Sequence, residues 1–229
     1  MSQSEWIKAG IDLLQAIISG IFVGVVIYWL DERRAKRERR LSDFRVAVGW
    51  SDRKQKESLR GFDLSHVNLS GHNFAEADLE DARFDETGLW GTKFTKANLR
   101  LACFRKANML GTEFQDVIAY RADFSQSKIL KRIYPDKKVF VDFTGASLQE
   151  AIFREASITG AAFVNARLNQ SNFNKAVISE CDFTGSDLAK SNWRKVKRVE
   201  NCIWKNVRSI EPDNFPPELW KEIQRQNAK

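Results

Sequence analysis

Every fifth residue from Leu64 gives Leu64, Leu69, Phe74, Leu79, Phe84, Leu89, Phe94, Leu99, Phe104, Met109, Phe114, Ala119, Phe124 and Ile129, all bulky and apolar except Ala119. The residue two places earlier is usually small, as at Ala77, Ala82, Ala97, Ala102 and Ala107. A second array in a new phase runs Phe143, Leu148, Phe153, Ile158, Phe163, Leu168, Phe173, Ile178, Phe183, Leu188 and Trp193, again with small residues such as Ala146, Ala151, Ala156 and Ala161 two places before. A period of five is neither the 3.6 of a helix nor the 2 of a strand. Units this short cannot enclose a core, so each must stack on another copy of itself along the chain.

The residue identities show which copy. Leu148, Leu168 and Leu188 recur at a spacing of twenty, as do Phe143, Phe163 and Phe183. Five residues per unit and twenty per lap make a coil with four sides, two opposite sides carrying phenylalanine and the other two leucine or isoleucine. Successive coils are expected about 4.8 Å apart, each bonded through its amides to the coils on either side. Ile129 to Phe143 is a step of fourteen, so the intervening KRIYPDKKV must leave the wall, turning near Tyr134 to Asp136 where proline precedes aspartate.

The stretches AEADLE, TKANLR, RKANML, YRADFS and GSDLAK carry an A-(D/N)-L-x-x pattern and resemble the pentapeptide-repeat family. The resemblance implies a right-handed quadrilateral β-helix, a handedness that periodicity alone does not give. It also raises one functional alternative, because some soluble family members resemble DNA in shape and negative charge and engage type II topoisomerases. His72 and Val117 stand where a small residue is usual, and Ala119 is thin for its row, so those coils are expected to be loosened or bulged.

The amino-terminal sequence is of another kind. Leu13 to Leu30 carries no charge and, with Gly10 and Ile11, is long enough for a single transmembrane helix over 10–30. Arg33, Arg34, Lys36, Arg37, Arg39 and Arg40 follow it, against Lys8 before it. The positive-inside bias then leaves residues 1–9 as a short tail outside and the repeats in the cytoplasm, at the inner face of the cytoplasmic membrane. The six cations either contact anionic lipid or act only to stop transfer. Ala16, Gly20 and Gly24 share one helix face and would permit self-association in lipid, the basis of a second alternative in which helix clustering perturbs the membrane.

The expected architecture is therefore mainly β: a transmembrane helix, a basic juxtamembrane linker over 31–60, repeat arrays over 61–129 and 141–210 interrupted by a loop over 130–140, and a short capping helix within 211–229. Phe44, Val46 and Val48 alternate and suit the start of the first coil. After Trp193 the register decays. Pro216 and Pro217 suit a helix start, and Phe215, Leu219, Trp220 and Ile223 then share a face that either covers the last coil or pairs two copies. The loop offers Lys131, Arg132, Tyr134, Lys137 and Lys138, either as a protein contact on a rigid scaffold or as a tolerated insertion.

Composition narrows the chemistry. Charged residues are 29% of the chain and apolar residues 43%, a globular balance. Cys103, Cys181 and Cys202 are odd in number and lack metal-ligand spacing, which fits a reducing compartment. With His66 and His72 as the only histidines and no phosphate-cradling glycine loop, no enzyme and no cofactor are expected. Asp78, Asn98 and Asp123 recur beside the bulky position and suit backbone bonding at corners. Net charge is +7, with carboxylates concentrated in residues 61–90, a balance that counts against the DNA-like alternative; direct nucleic-acid binding is not expected. The leading expectation is a non-catalytic scaffold, tethered to the membrane, that binds an unidentified cytoplasmic protein.

Overall fold

The computed structural model describes residues 3–53, 57–133 and 138–228, except for the side chains of residues 3–14, 16–20 and 53. The chain divides into two compact units, 1–42 and 43–229. Helix α1 (Gln3–Arg53) supplies all the described structure of the first unit and the opening turns of the second. Among the described residues no helix is long and apolar enough to cross a membrane. Much of the span expected over 10–30 lies outside the described side chains; Ile21, Phe22, Val25 and Tyr28 within it are exposed.

Two expectations for 31–60 are corrected. Residues 31–53 are helical rather than a linker, being rich in Arg, with Glu and Ala and no Pro to interrupt the helix. Phe44, Val46 and Val48 do not begin a coil. The helix instead turns Phe44, Ala47, Val48 and Trp50 toward the core of the second unit, leaving Val46 exposed. Their apparent alternation comes from a face whose other members, Ala47 and Ser51, are small.

From Leu59 the chain winds as a solenoid whose parallel bridges advance by twenty residues, as in Asp63 with Arg83, Arg83 with Cys103 and Cys103 with Asp123. Wall one stacks Leu64, Phe84, Phe104, Phe124, Phe153, Phe173 and Trp193. Wall three stacks Phe74, Phe94, Phe114, Phe143, Phe163, Phe183 and Trp204. Rings within a wall lie parallel, as Phe104 over Phe124 at 4.9 Å and Phe163 over Phe183 at 4.9 Å. Rings from the two opposite walls meet edge to face, as Phe94 and Phe104 do at 5.9 Å. Wall four carries Leu79, Leu99, Ala119, Leu148, Leu168 and Leu188, in register through Ser147, Arg167 and Asp187. Wall two is the most regular. There β1 (Asn108–Leu110), β2 (Lys128–Leu130), β5 (Ser157–Thr159), β6 (Val177–Ser179) and β7 (Arg198–Glu200) form a parallel sheet.

The corners explain how polar residues hold so tight a coil. Among the described residues, twenty non-glycine residues have φ between 53° and 66°, nearly all two places after an inward side chain. A left-handed backbone is costly for an L-residue, and here it is held by amide bonds to the next coil, as from Glu76 to Thr95 and from Lys96 to Gln115, each 2.9 Å.

The coil containing Val117 and Ala119 is not loosened as the sequence implied. Both are fully buried, and the Ala119 amide donates to Ser147 at 2.8 Å. Bulk missing at Ala119 is supplied two residues earlier by Val117. The His72 coil is also intact: the Lys93 amide donates to the His72 carbonyl at 2.9 Å, and the His72 ring lies near the Ser70 carbonyl. The register does not decay at Trp193 either. One extra residue is absorbed, so pairing continues at a step of twenty-one from Ile178 to Val199 and from Asp182 to Ile203.

Both ends are closed. At the first, Trp50 stacks on Phe74 at 6.1 Å, while Asp43 Oδ2 and Ser51 Oγ accept the Asp63 and Asn73 amides at 3.0 and 2.7 Å. At the second, α2 (Pro217–Asn227) buries Leu219 and Ile223, and Phe215 stacks on Trp193 at 5.8 Å. Gln226 and Asn227 satisfy the last coil's open edge: the Trp204 amide donates to Gln226 at 2.8 Å, and Asn227 donates to the Trp204 carbonyl at 2.7 Å.

Candidate interaction surfaces

The step of fourteen resolves into a normal step of five plus nine extra residues. These form an antiparallel hairpin of β3 (Arg132–Ile133) and β4 (Lys138–Val139), standing at the corner between walls two and three. Two glycines make room for its base. A Cβ on Gly111, at φ 65°, would collide with Val139, and one on Gly160, at φ 68°, would collide with the Lys131 side chain.

The predicted loop residues have different fates. Lys131 pairs with Glu180 and lies across Gly160, so it clasps neighbouring coils instead of standing free. Arg132 and Lys138 are exposed on the two strands, and Tyr134 and Lys137 lie outside the described residues. Lys138, Phe140 and Ile203 line a hollow of about 470 Å³ beside the hairpin. Outside α1, the large exposed apolar side chains are Trp90, Leu101, Ile118, Ile133, Phe140 and Ile203 among the described residues. Three of these six, Ile133, Phe140 and Ile203, lie at the hairpin corner, and Trp90, two coils before it, heads a column along wall two that Leu110 and Leu130 continue. Sequence reasoning missed Trp90, Phe140 and Ile203. Only Trp90 carried a signal, the outward position that the lap of twenty assigns it; Phe140 lies in the insertion, and the lap of twenty puts Ile203 inward, a place that the extra residue gives to Trp204.

Wall one carries the densest polar cluster. The Asp85 carboxylate accepts from Arg83 at 3.0 Å, from Arg105 at 3.1 Å and from the Cys103 thiol at 3.1 Å. Burial alone would raise the Asp85 carboxyl; the hydrogen bonds from Arg105, Cys103 and Arg83 outweigh it and hold the group below the ordinary aspartate range. Burial, and then Asp85, push the Cys103 thiol up to about 11, which leaves it protonated and unreactive near neutral pH. Along the adjoining corner Glu86 bridges His66 and Lys106, both at 3.3 Å. These carboxylates are matched by cations from neighbouring coils and serve stacking. Among the described residues no group of three His, Cys, Asp or Glu is placed to hold a metal ion.

Of the remaining predicted residues, Ala16 and Gly20 lie outside the described side chains, and nothing stands within 4 Å of where a Gly24 Cβ would be. Arg33 lies 3.5 Å over the Trp29 ring and Lys36 pairs with Glu32 at 2.6 Å, while Arg34, Arg37 and Arg39 are exposed and Arg40 is half-buried.

A four-walled solenoid of five-residue units with stacked inward side chains defines a class of repeat protein. Residues 63–100 and 93–129 match the family model Pentapeptide repeats (8 copies), and residues 143–187 match Pentapeptide repeats (9 copies). Through these arrays the chain belongs to the pentapeptide-repeat family. Similar solved structures include HetL, a pentapeptide repeat protein involved in heterocyst differentiation regulation from the cyanobacterium Nostoc sp. strain PCC 7120, at 24% identity, 66% of this chain, 81% of that chain and TM-score 0.29. QnrB1, a plasmid-mediated fluoroquinolone resistance protein, is similar at 16% identity, with 73% and 88% covered and TM-score 0.42. Rfr23 from the cyanobacterium Cyanothece 51142 is similar at 12% identity, with 71% and 99% covered and TM-score 0.29. No curated protein matches the chain.

Proposed function

We propose that this chain is a non-catalytic scaffold that binds a cytoplasmic protein along one edge of its solenoid, tethered to the inner face of the cytoplasmic membrane by residues 10–30. The observation that carries this reading is the exposure of Ile133, Phe140 and Ile203 at the hairpin corner, with the Trp90, Leu110 and Leu130 column leading up to it, on a solenoid closed at both ends. Closed ends leave the walls as the surface for recognition, and exposed aromatic side chains are the type that anchors protein interfaces. A topoisomerase-binding acidic surface is disfavoured by the pairing of Asp85 with Arg83 and Arg105 and of Glu86 with Lys106.

Support for the tether is the uncharged run Leu13 to Leu30 followed by the cations Arg33 to Arg40. Gly24 is open to close approach by a second helix, with Ala16 and Gly20 on the same face.

The test places a photoreactive residue at position 140 or 174 of the full chain, in cells. We expect one adduct from position 140, at the hairpin corner, and none from position 174 on wall one. Equal labelling from both would refute the edge. The chain is expected to stay with membranes through a high-salt carbonate wash; release into the soluble fraction would refute the tether.

A further inference from the structure

Cys181 and Cys202 occupy the same position of the same wall in consecutive coils, two places before Phe183 and Trp204. The register is fixed on both sides: Asp182 pairs with Ile203, and the Ile203 amide donates to the Cys181 carbonyl at 2.9 Å. Parallel strands at this spacing put the two Cα atoms about 4.8 Å apart, inside the window of roughly 4.4–6.8 Å that a disulfide spans. Both thiols are free in the structure. Cys181 is fully buried, whereas Cys202, also buried, lines a groove of about 510 Å³ between the last coil and α2, where Lys197, Arg198 and Arg225 are balanced by Glu200, Glu218 and Glu222.

We propose that Cys181 and Cys202 are a disulfide-forming pair that a hydroperoxide oxidises to lock the last coil and its capping helix onto the solenoid. The two cysteines have divided roles. The Cys181 thiol donates to the Ser179 carbonyl and the Cys202 thiol to the Glu200 carbonyl, each at 3.3 Å. Beside Cys181 the Cys202 thiol is held down, whereas burial pushes Cys181 up, so Cys202 is the one that gives up its proton.

The Cys202 thiolate attacks the terminal peroxide oxygen, the O–O bond breaks, and the departing alkoxide takes a proton to leave as an alcohol, or as water from hydrogen peroxide. Cys202 is then a sulfenic acid. The Cys181 sulfur attacks the Cys202 sulfur, the S–O bond breaks, and hydroxide leaves as water with the Cys181 proton. Two thiols and one peroxide become one disulfide, two electrons having passed from sulfur to oxygen.

The bond would close the coil that carries the extra residue and bears α2. Cys103 is an internal control, because its thiol is held by Asp85.

The test treats the full chain with hydrogen peroxide, then denatures, alkylates and maps it by mass spectrometry. Alkylatable thiols are expected to fall from the three free cysteines to Cys103 alone, with a linked Cys181–Cys202 peptide two hydrogens lighter. Amide exchange over residues 203–227 should slow by at least about tenfold. Cys181→Ala and Cys202→Ala place the residue usual at these positions, so both should fold, and each should abolish the link and the slowing. Three alkylatable thiols after treatment, a sulfinic acid at Cys202 without a link, a link to Cys103, or unchanged exchange in the linked protein would each overturn the proposal.

Discussion

Hydroxyls at the small inward positions have opposite effects depending on one bond. Thr87, Thr92 and Thr112 donate to the carbonyls of Leu64, Leu69 and Leu89 at 2.7, 2.9 and 2.7 Å, reaching the preceding coil. Ser171 and Ser191 each donate to the nearby Leu168 and Leu188 carbonyls at 2.7 Å. The Ser127 and Ser186 hydroxyls are equally buried but have no partner among the described residues. An unpaired buried hydroxyl costs about 1–3 kcal/mol, whereas a made bond contributes about 1 kcal/mol. Alanine already fills this position at Ala97, Ala102 and Ala107 without strain. Ser127→Ala is therefore expected to raise the unfolding free energy by about 1 kcal/mol and Thr87→Ala to lower it by about the same, read from urea transitions of the full chain. Two changes of the same sign would refute the assignment of these hydroxyls.

The hairpin is a module that the solenoid can do without. Deleting residues 132–140 joins Lys131 to Val141 and restores a step of five from Ile129 to Phe143. Lys131 then takes the corner position where Lys96 and Lys106 already adopt φ of 60° and 57°. The shortened chain is expected to unfold cooperatively with a loss under about 2 kcal/mol, since loop length is a weak term in stability. A broadened or early thermal transition by circular dichroism would show instead that β3 and β4 are part of the core. This separability is why the step of fourteen was legible in the sequence while the hairpin was not: the walls are encoded by repeated inward residues, and β3 and β4 by two residues each. The closing turns of α1 were hidden for a related reason, since Ala47 and Ser51 weigh little as apolar signals. The extra residue beyond Trp193 displaced Val199 and Trp204 from the fivefold series and made a continuing coil look like decay. Cross-coil partners such as Asp85 with Arg105 were implicit in the lap of twenty, but choosing which pairs form needs side-chain geometry.

At the scale of the whole molecule, the problem that stacked coils must solve is where to stop, because every coil presents amides and open core to the next. The two ends use similar chemistry: an aromatic ring over the terminal phenylalanine or tryptophan, and helix side chains for the unpaired backbone groups. At one end Trp50 stacks while Asp43 and Ser51 accept amides; at the other Phe215 stacks, Gln226 accepts the Trp204 amide and Asn227 donates to the Trp204 carbonyl. Ile223→Asp would place a carboxylate at a fully buried position and should detach α2 at a cost of about 3–5 kcal/mol. The walls should survive, because each coil is also held by its neighbour on the other side. The exposed last coil then has Trp193, Trp204 and their open amides to bury, and the matching surface available at high concentration is the same end of a second copy. Full-length Ile223→Asp in detergent is therefore expected to sediment as a dimer with the solenoid's circular dichroism retained, while Ile223→Val sediments like the unaltered chain. An Ile223→Asp variant that keeps the sedimentation of the unaltered chain at every concentration would mean that α2 does not keep that end from associating.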